Sequence, residues 1–271
     1  MIMEKKTVVV TGAAGGMGRA VCEMLRKQGF AVWALDVAEL QGEHFIRTDI
    51  TDGASVEEAA RRIAGSCGKI DAVVHLAGIY DMNSLVEMPE EDFLRIFNIN
   101  LFGMYRVNRA FVPLLNPHSR IIMVSSELAP LDPLPFTGIY AITKSAIEKY
   151  AYSLRMELQL LGHSVTVVRP GAVKTSLLDV SQKRIERFCD NTELYKDTSR
   201  RFLTIVNSVE TANVEPQRIA AVILHALTCR RPRYLYNINR SPLLLMLNIL
   251  PQRLQNFLIK RILLPKNSRR S

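Results

Sequence analysis

The chain has 271 residues, 48% hydrophobic and 23% charged, which excludes a disordered or collagen-like protein and suits one large α/β domain. Its formal net charge is +9, yet all 26 acidic residues lie at or before Glu215. The eleven basic residues beyond that point form a basic tail on a near-neutral body, not the folded basic stripe of a nucleic-acid-binding domain, so no nucleic-acid partner is expected.

Residues 1–6 carry no apolar run and no small-residue cleavage site, so no signal peptide is expected and the placement is read as cytoplasmic. A β-branched strand at Thr7–Thr11 leads through glycines into a helix over 18–28. Strands follow at 31–35 and 45–46. A helix is predicted over 55–64 with Ser55 as its N-cap. Further strands are predicted at 72–76, 120–124, 165–168 and 234–238, with helices over 90–115, 140–161 and 216–227. Strands alternating with helices predict a Rossmann-type α/β fold: a doubly wound parallel sheet with helices on both faces. Residues 176–214 read as helical excursions forming a lid. The domain is placed at 1–240, with a C-terminal helical appendage at 241–271. Four scattered cysteines and five histidines show no ligand spacing, so no metal is expected.

Thr11-Gly12-Ala13-Ala14-Gly15-Gly16-Met17-Gly18 lies between a predicted strand and helix. Glycines there allow close approach of a pyrophosphate, and the helix N-terminus supplies free N–H groups. Asp36 follows 20 residues after Gly16, where a carboxylate accepts hydrogen bonds from ribose hydroxyls and repels a 2′-phosphate. Tyr140 and Lys144 stand four apart, on one face of a helix that follows the Ser125-Ser126 strand end. A cation beside a phenol lowers its pKa, which suits general acid–base catalysis.

The Thr-Gly-x-x-x-Gly-x-Gly motif, Asp36 and the Tyr140/Lys144 pair together resemble the short-chain dehydrogenase/reductase family over about residues 7–237. The resemblance implies NAD(H)-dependent interconversion of an alcohol and its carbonyl. Asn100, Ser126, Tyr140 and Lys144 would be catalytic, with Asn98 and Ser125 as the competing choices for the asparagine and serine. Cofactor contacts are implied for Thr11, Gly12, Gly16, Met17, Gly18, Asp36, Asp49, Ile50, Ala77, Gly78, Tyr140, Lys144, Pro170, Gly171, Val173 and Thr175. Asp36, with non-basic Gly15 and Val37 near it, favours NAD over NADP. His75 stands where the family usually has asparagine, and that change bears on local packing. Glu127 is read either as a solvated loop acid or as a group facing the substrate beside Ser126 and Tyr140.

The layout, including Ser-Ser-Glu and a Leu/Pro-rich tail, is similar to the steroid- and retinol-type branch of the family. It implies a lipophilic alcohol or ketone, such as a hydroxysteroid or retinoid, and a homodimer or homotetramer. Leu254, Phe257, Leu258 and Ile262 recur at helical spacing among basic residues. That face either rests peripherally on an anionic membrane or packs on protein. A non-catalytic NAD-sensing or scaffold protein is the alternative outside enzymes, and the intact Asn100, Ser126, Tyr140 and Lys144 argue against it.

Overall fold

In a computed structural model, residues 5–174, 176–209 and 213–264 are described. The sheet has seven strands in the order β3-β2-β1-β4-β5-β6-β7, all parallel. The strands are β1 (Thr7–Thr11), β2 (Ala31–Asp36), β3 (Phe45–Arg47), β4 (Ile70–His75), β5 (Leu115–Val124), β6 (Ser164–Pro170) and β7 (Leu235–Ile238). The chain reverses direction between β3 and β4, so the C-terminal ends of β1 and β4 flank the crevice where such sheets bind ligands.

Alternation along each strand divides the core into two layers. Val8, Val10, Val74 and Ile122 point to one face, where Val21 and Leu25 of α1 (Gly16–Lys27) meet Ile219 and Ile223 of α8 (Pro216–Thr228). Val9, Val73, Ile121 and Met123 point to the other. There they meet Val56 and Ile63 of α2 (Gly53–Cys67), Val107 and Phe111 of α4 (Gly103–Phe111), and Ile147 of α5 (Gly138–Leu158). Both faces are apolar, which is why the strands read as near-continuous hydrophobic runs.

Several boundaries differ from the sequence expectation for definite reasons. The N-cap of α2 is Asp52, whose carboxylate accepts from Ala54 N, while Ser55 Oγ accepts from Asp49 N. The long helix expected over 90–115 is broken into α3 (Glu90–Phe97), a π-helical turn at Asn98–Phe102, and α4. The expected lid is two helices, α6 (Ser176–Asn191) and α7 (Lys196–Val209). The tail forms α9 (Pro242–Ile249) and α10 (Gln252–Leu263). No described helix is long and apolar enough to cross a membrane.

Candidate active site

The glycine turn is shaped by steric necessity. Gly12 has φ +69°, and a Cβ there would lie 2.5 Å from Ala77 N. A Cβ on Gly18 would sit 2.0 Å from the Gly12 carbonyl oxygen. No side chain fits at either position, so β1, the turn and α1 close directly on the end of β4. Asp36 fastens the turn from the next strand, its Oδ2 accepting from Ala14 N at 2.8 Å.

A cleft of about 890 Å³ opens from this turn. Of the residues expected to contact a cofactor, Gly12, Gly16, Met17, Gly18, Asp36, Asp49, Ile50, Ala77 and Gly78 line it. Asn98, the competing asparagine, lines it too, and so do Arg95 and Arg106. Arg106 reaches the Ile50 and Asn98 carbonyls at 3.4 and 3.5 Å. Sequence reasoning missed both arginines because they lie inside an ordinary amphipathic helical pattern. A Cβ-free cradle, a helix N-terminus and a carboxylate at the end of β2 fit a dinucleotide laid across the strand ends.

Behind Gly78 lies the group of residues expected to be catalytic. A Cβ on Gly78 would be 3.2 Å from Asn100 Oδ1 and 3.8 Å from Lys144 Nζ, so the two side chains converge there. Asn100 is buried in the π-helical turn. Its Oδ1 accepts from Ile79 N at 2.8 Å, and its Nδ2 donates to the Ile79 carbonyl at 2.9 Å and to Thr143 Oγ1 at 3.2 Å. The π-helical turn thus clamps the loop after β4 to α5.

Tyr140 and Lys144 occupy the first turns of α5, with Lys144 Nζ 5.5 Å from the Tyr140 ring centre. The two serines separate cleanly. Ser126 stands beside the Tyr140 phenol and draws its pKa down, its Oγ accepting from Leu128 N at 3.2 Å, whereas Ser125 Oγ turns to the Lys144 carbonyl at 3.5 Å. The expected lowering of the Tyr140 pKa is not found in the free protein. Burial pushes it up to about 12, against the opposing pull of Ser126. Burial also brings Lys144 down to about 8, against the pull of Glu148. Glu148 is committed to Arg169, its Oε1 accepting from Nε at 2.6 Å. Lys144 donates instead to the Val124 carbonyl at 3.2 Å. Tyr80, a further neighbour that sequence reasoning missed, meets the Tyr140 ring edge-on at 4.5 Å between centroids.

On the far side, Gly171 packs so closely on β7 that a Cβ would lie 1.9 Å from the Asn239 carbonyl oxygen. Pro170 ends β6, and Val173 forms a parallel bridge with Val214. Thr175 lies outside the described residues. Glu127 is not a solvated loop acid. It is buried, and its Oε2 accepts from Ser241 N at 2.7 Å, tying the residue after Ser126 to the start of α9. Its pKa is raised chiefly by burial.

The apolar lid residues in one cluster pack on one another and on the loops beneath them. Phe188, Tyr195 and Phe202 surround Phe136 at 5.0–5.4 Å between centroids, with Ile185, Met82 and Leu263 in the same cluster. Buried Asp81 locks this lid down, accepting from Arg184 at 3.1 Å and Arg95 at 3.4 Å. Among the described residues no group of three His, Cys, Asp or Glu could hold a metal. His75 is buried, its Nε2 2.8 Å from Asn108 Oδ1, and Asn108 in turn donates to Tyr150 Oη at 3.1 Å. It thereby braces β4 against α4 and α5.

The family model for short chain dehydrogenase matches residues 6–186. The chain belongs to the short-chain dehydrogenase/reductase family, and it is an oxidoreductase by that membership. It is 27% identical to the 3-ketodihydrosphingosine reductase of Bacteroides thetaiotaomicron, over 86% of this chain and 87% of that protein. It is 26% identical to estradiol 17-beta-dehydrogenase 2 of Mus musculus, over 99% of this chain and 78% of that protein. A Burkholderia phymatum short chain dehydrogenase/reductase in complex with NAD is similar with TM-score 0.72 and 25% identity, over 87% of this chain and 90% of that one. The ligand-free aldohexose dehydrogenase of Thermoplasma acidophilum shares the fold, with TM-score 0.73 at 22% identity over 89% and 95%.

Proposed function

We propose that this chain is an NAD(H)-dependent oxidoreductase that interconverts a lipophilic alcohol and its carbonyl. The observation that carries the reading is the convergence of Ser126, Tyr140, Lys144 and Asn100 beside the glycine-turn cleft. When bound, the nicotinamide supplies or accepts the hydride. The chain's residues do the rest. Ser126 orients the substrate oxygen. Tyr140 gives its phenolic proton to that oxygen in reduction and takes it back in oxidation. Lys144 places positive charge beside the ring. Asn100 holds the Ile79 backbone and aligns α5 with the cleft.

A phenol pushed up to about 12 is protonated at neutral pH and so has a proton to give to a substrate carbonyl. Asp36 supports NAD(H), because its carboxylate at the end of β2 would repel a 2′-phosphate. The NAD complex of the Burkholderia relative agrees with that preference. A lipophilic substrate is supported by the names of two relatives, a ketodihydrosphingosine reductase and an estradiol dehydrogenase. The reading includes Thr175 as a nicotinamide contact, a homodimer or homotetramer in the cytoplasm, and a peripheral membrane contact through the tail.

The test is NADH oxidation, followed by absorbance, against sphingoid, steroid and retinoid carbonyls, sugar ketones and short ketones, repeated with NADPH. Turnover of the lipophilic carbonyls with NADH supports the reading. Turnover confined to sugar or short ketones removes the substrate class, and a preference for NADPH removes the cofactor assignment.

A further inference from the structure

Helix α9 is apolar at every position but Asn248, and a helix apolar all round is ordinarily buried. Only half of it is. Leu244, Leu247 and Asn248 face the wall of residues 128–134, and Asn248 Oδ1 accepts from Asp132 N at 2.7 Å. Leu243, Met246 and Ile249 point away, 57%, 67% and 82% exposed. Helix α10 is divided in the same manner. Gln255, Ile259 and Leu263 face inward, with Gln255 bonded to Asp132 and the Leu250 carbonyl. Leu254 and Phe257 face out, with exposed Arg253 and Lys260 beside them. The sequence places eleven basic residues and no acid after Glu215.

We infer that the outer faces of α9 and α10 dock on an anionic lipid bilayer, Leu243, Met246, Ile249, Leu254 and Phe257 entering the headgroup–acyl boundary and Arg253 and Lys260 meeting lipid phosphates. Charge decides against a second copy as the occupant. A two-fold contact sets each patch against itself, and here it would bring basic helices together with no acid on the segment to answer them. With 8 and 12 residues, the helices rest on a bilayer and do not cross it. The same helices hold the site: Ser241 N bonds Glu127, Gln255 bonds Asp132, and Arg201 of α7 bonds the Leu264 carbonyl. Docking therefore turns the side of the site formed by wall and lid toward the membrane. The inference rests on the reading of the tail as a peripheral membrane contact, and on neither the cofactor nor the substrate assignment.

The test is sedimentation of the full chain with vesicles of phosphatidylcholine alone and of phosphatidylcholine containing phosphatidylserine. Partition should be about tenfold higher on the anionic vesicles and should fall as salt is added. The double variant Met246→Glu/Phe257→Glu should lose partition on both, and Arg253→Glu/Lys260→Glu should lose the anionic preference. All these side chains are exposed, so the melting temperature should stay unchanged in both variants. Absence of pelleting, or equal pelleting of wild type and the Met246/Phe257 variant, overturns the inference. So does a concentration-dependent dimer in sedimentation velocity that Met246→Glu/Phe257→Glu dissolves. NADH binding, followed by its fluorescence, separates the failures: retained binding without pelleting sinks the docking and leaves the enzyme reading standing.

Discussion

Ser126, two residues past the end of β5, stands beside the Tyr140 phenol in the first turn of α5 and draws its pKa down, while Ser125 is turned to the Lys144 backbone. One residue of register thus decides which serine can share a substrate oxygen with the phenol. Ser126→Ala should lower kcat by about a hundredfold or more, on the scale of losing one positioned donor at a reacting oxygen. Ser125→Ala should change kcat by no more than a few fold. Steady-state kinetics on both variants checks the assignment, and the reverse ranking would contradict it.

Asp36 carries a structural load besides its expected ribose contact, because it fastens the glycine turn through Ala14 N. Asp36→Ala should weaken NADH binding by about tenfold, the worth of roughly one charge-assisted hydrogen bond. It should weaken NADPH binding less, since the repelling charge goes too. Gly18→Ala should abolish binding of both, because its Cβ would sit 2.0 Å from the Gly12 oxygen. Fluorescence titration of each cofactor measures all of these.

His75 gives the protein a specific acid sensitivity. Burial lowers its pKa to about 4, while an unfolded histidine titrates near 6.5. Between those values the unfolded chain binds the extra proton and the native one does not, so stability falls as pH drops from about 6.5 to about 4. The loss amounts to about 3 kcal/mol at most. His75→Asn should flatten this limb in urea melts taken across that range. An unchanged slope would show that His75 is not its source.

Glu127 should matter for the tail and not for substrate choice. Removing an acceptor from a buried backbone N–H costs about 1–3 kcal/mol, so Glu127→Ala should lower the melting temperature. Glu127→Gln keeps a carbonyl acceptor for Ser241 and should restore most of it. Relative kcat/KM across the carbonyl panel should be unchanged in Glu127→Gln, and a reordered panel would show that the carboxylate reaches the substrate.

The sheet was legible because each buried strand is a short β-branched run set off by glycine or by a helical pattern, as in Val8 to Val10 and Val165 to Val168. The glycine turn, Asp36 and the Tyr140/Lys144 pair were legible because their chemistry fixes their spacing. What escaped was tertiary. Leu254, Phe257, Leu258 and Ile262 are expected to form one apolar face, on a membrane or on protein, and that pattern gives no sign that Gln255 faces in, where Asp132 and the Leu250 carbonyl satisfy its amide. Hydropathy cannot register a partner 123 residues away. For the same reason the bond from Ser241 N to Glu127 has no sequence signal, and neither has the burial that raises the Tyr140 pKa.

The central claim is that Tyr140 moves the proton in an NADH-dependent carbonyl reduction. Its most direct test is the pre-steady-state rate of NADH oxidation with the best carbonyl of the panel, in wild type and in Tyr140→Phe. Phenylalanine keeps the ring and its edge contact with Tyr80 but has no proton to give. The account predicts a rate lower by about a hundredfold to ten-thousandfold with NADH affinity unchanged. A Tyr140→Phe protein that turns over at the wild-type rate would contradict it.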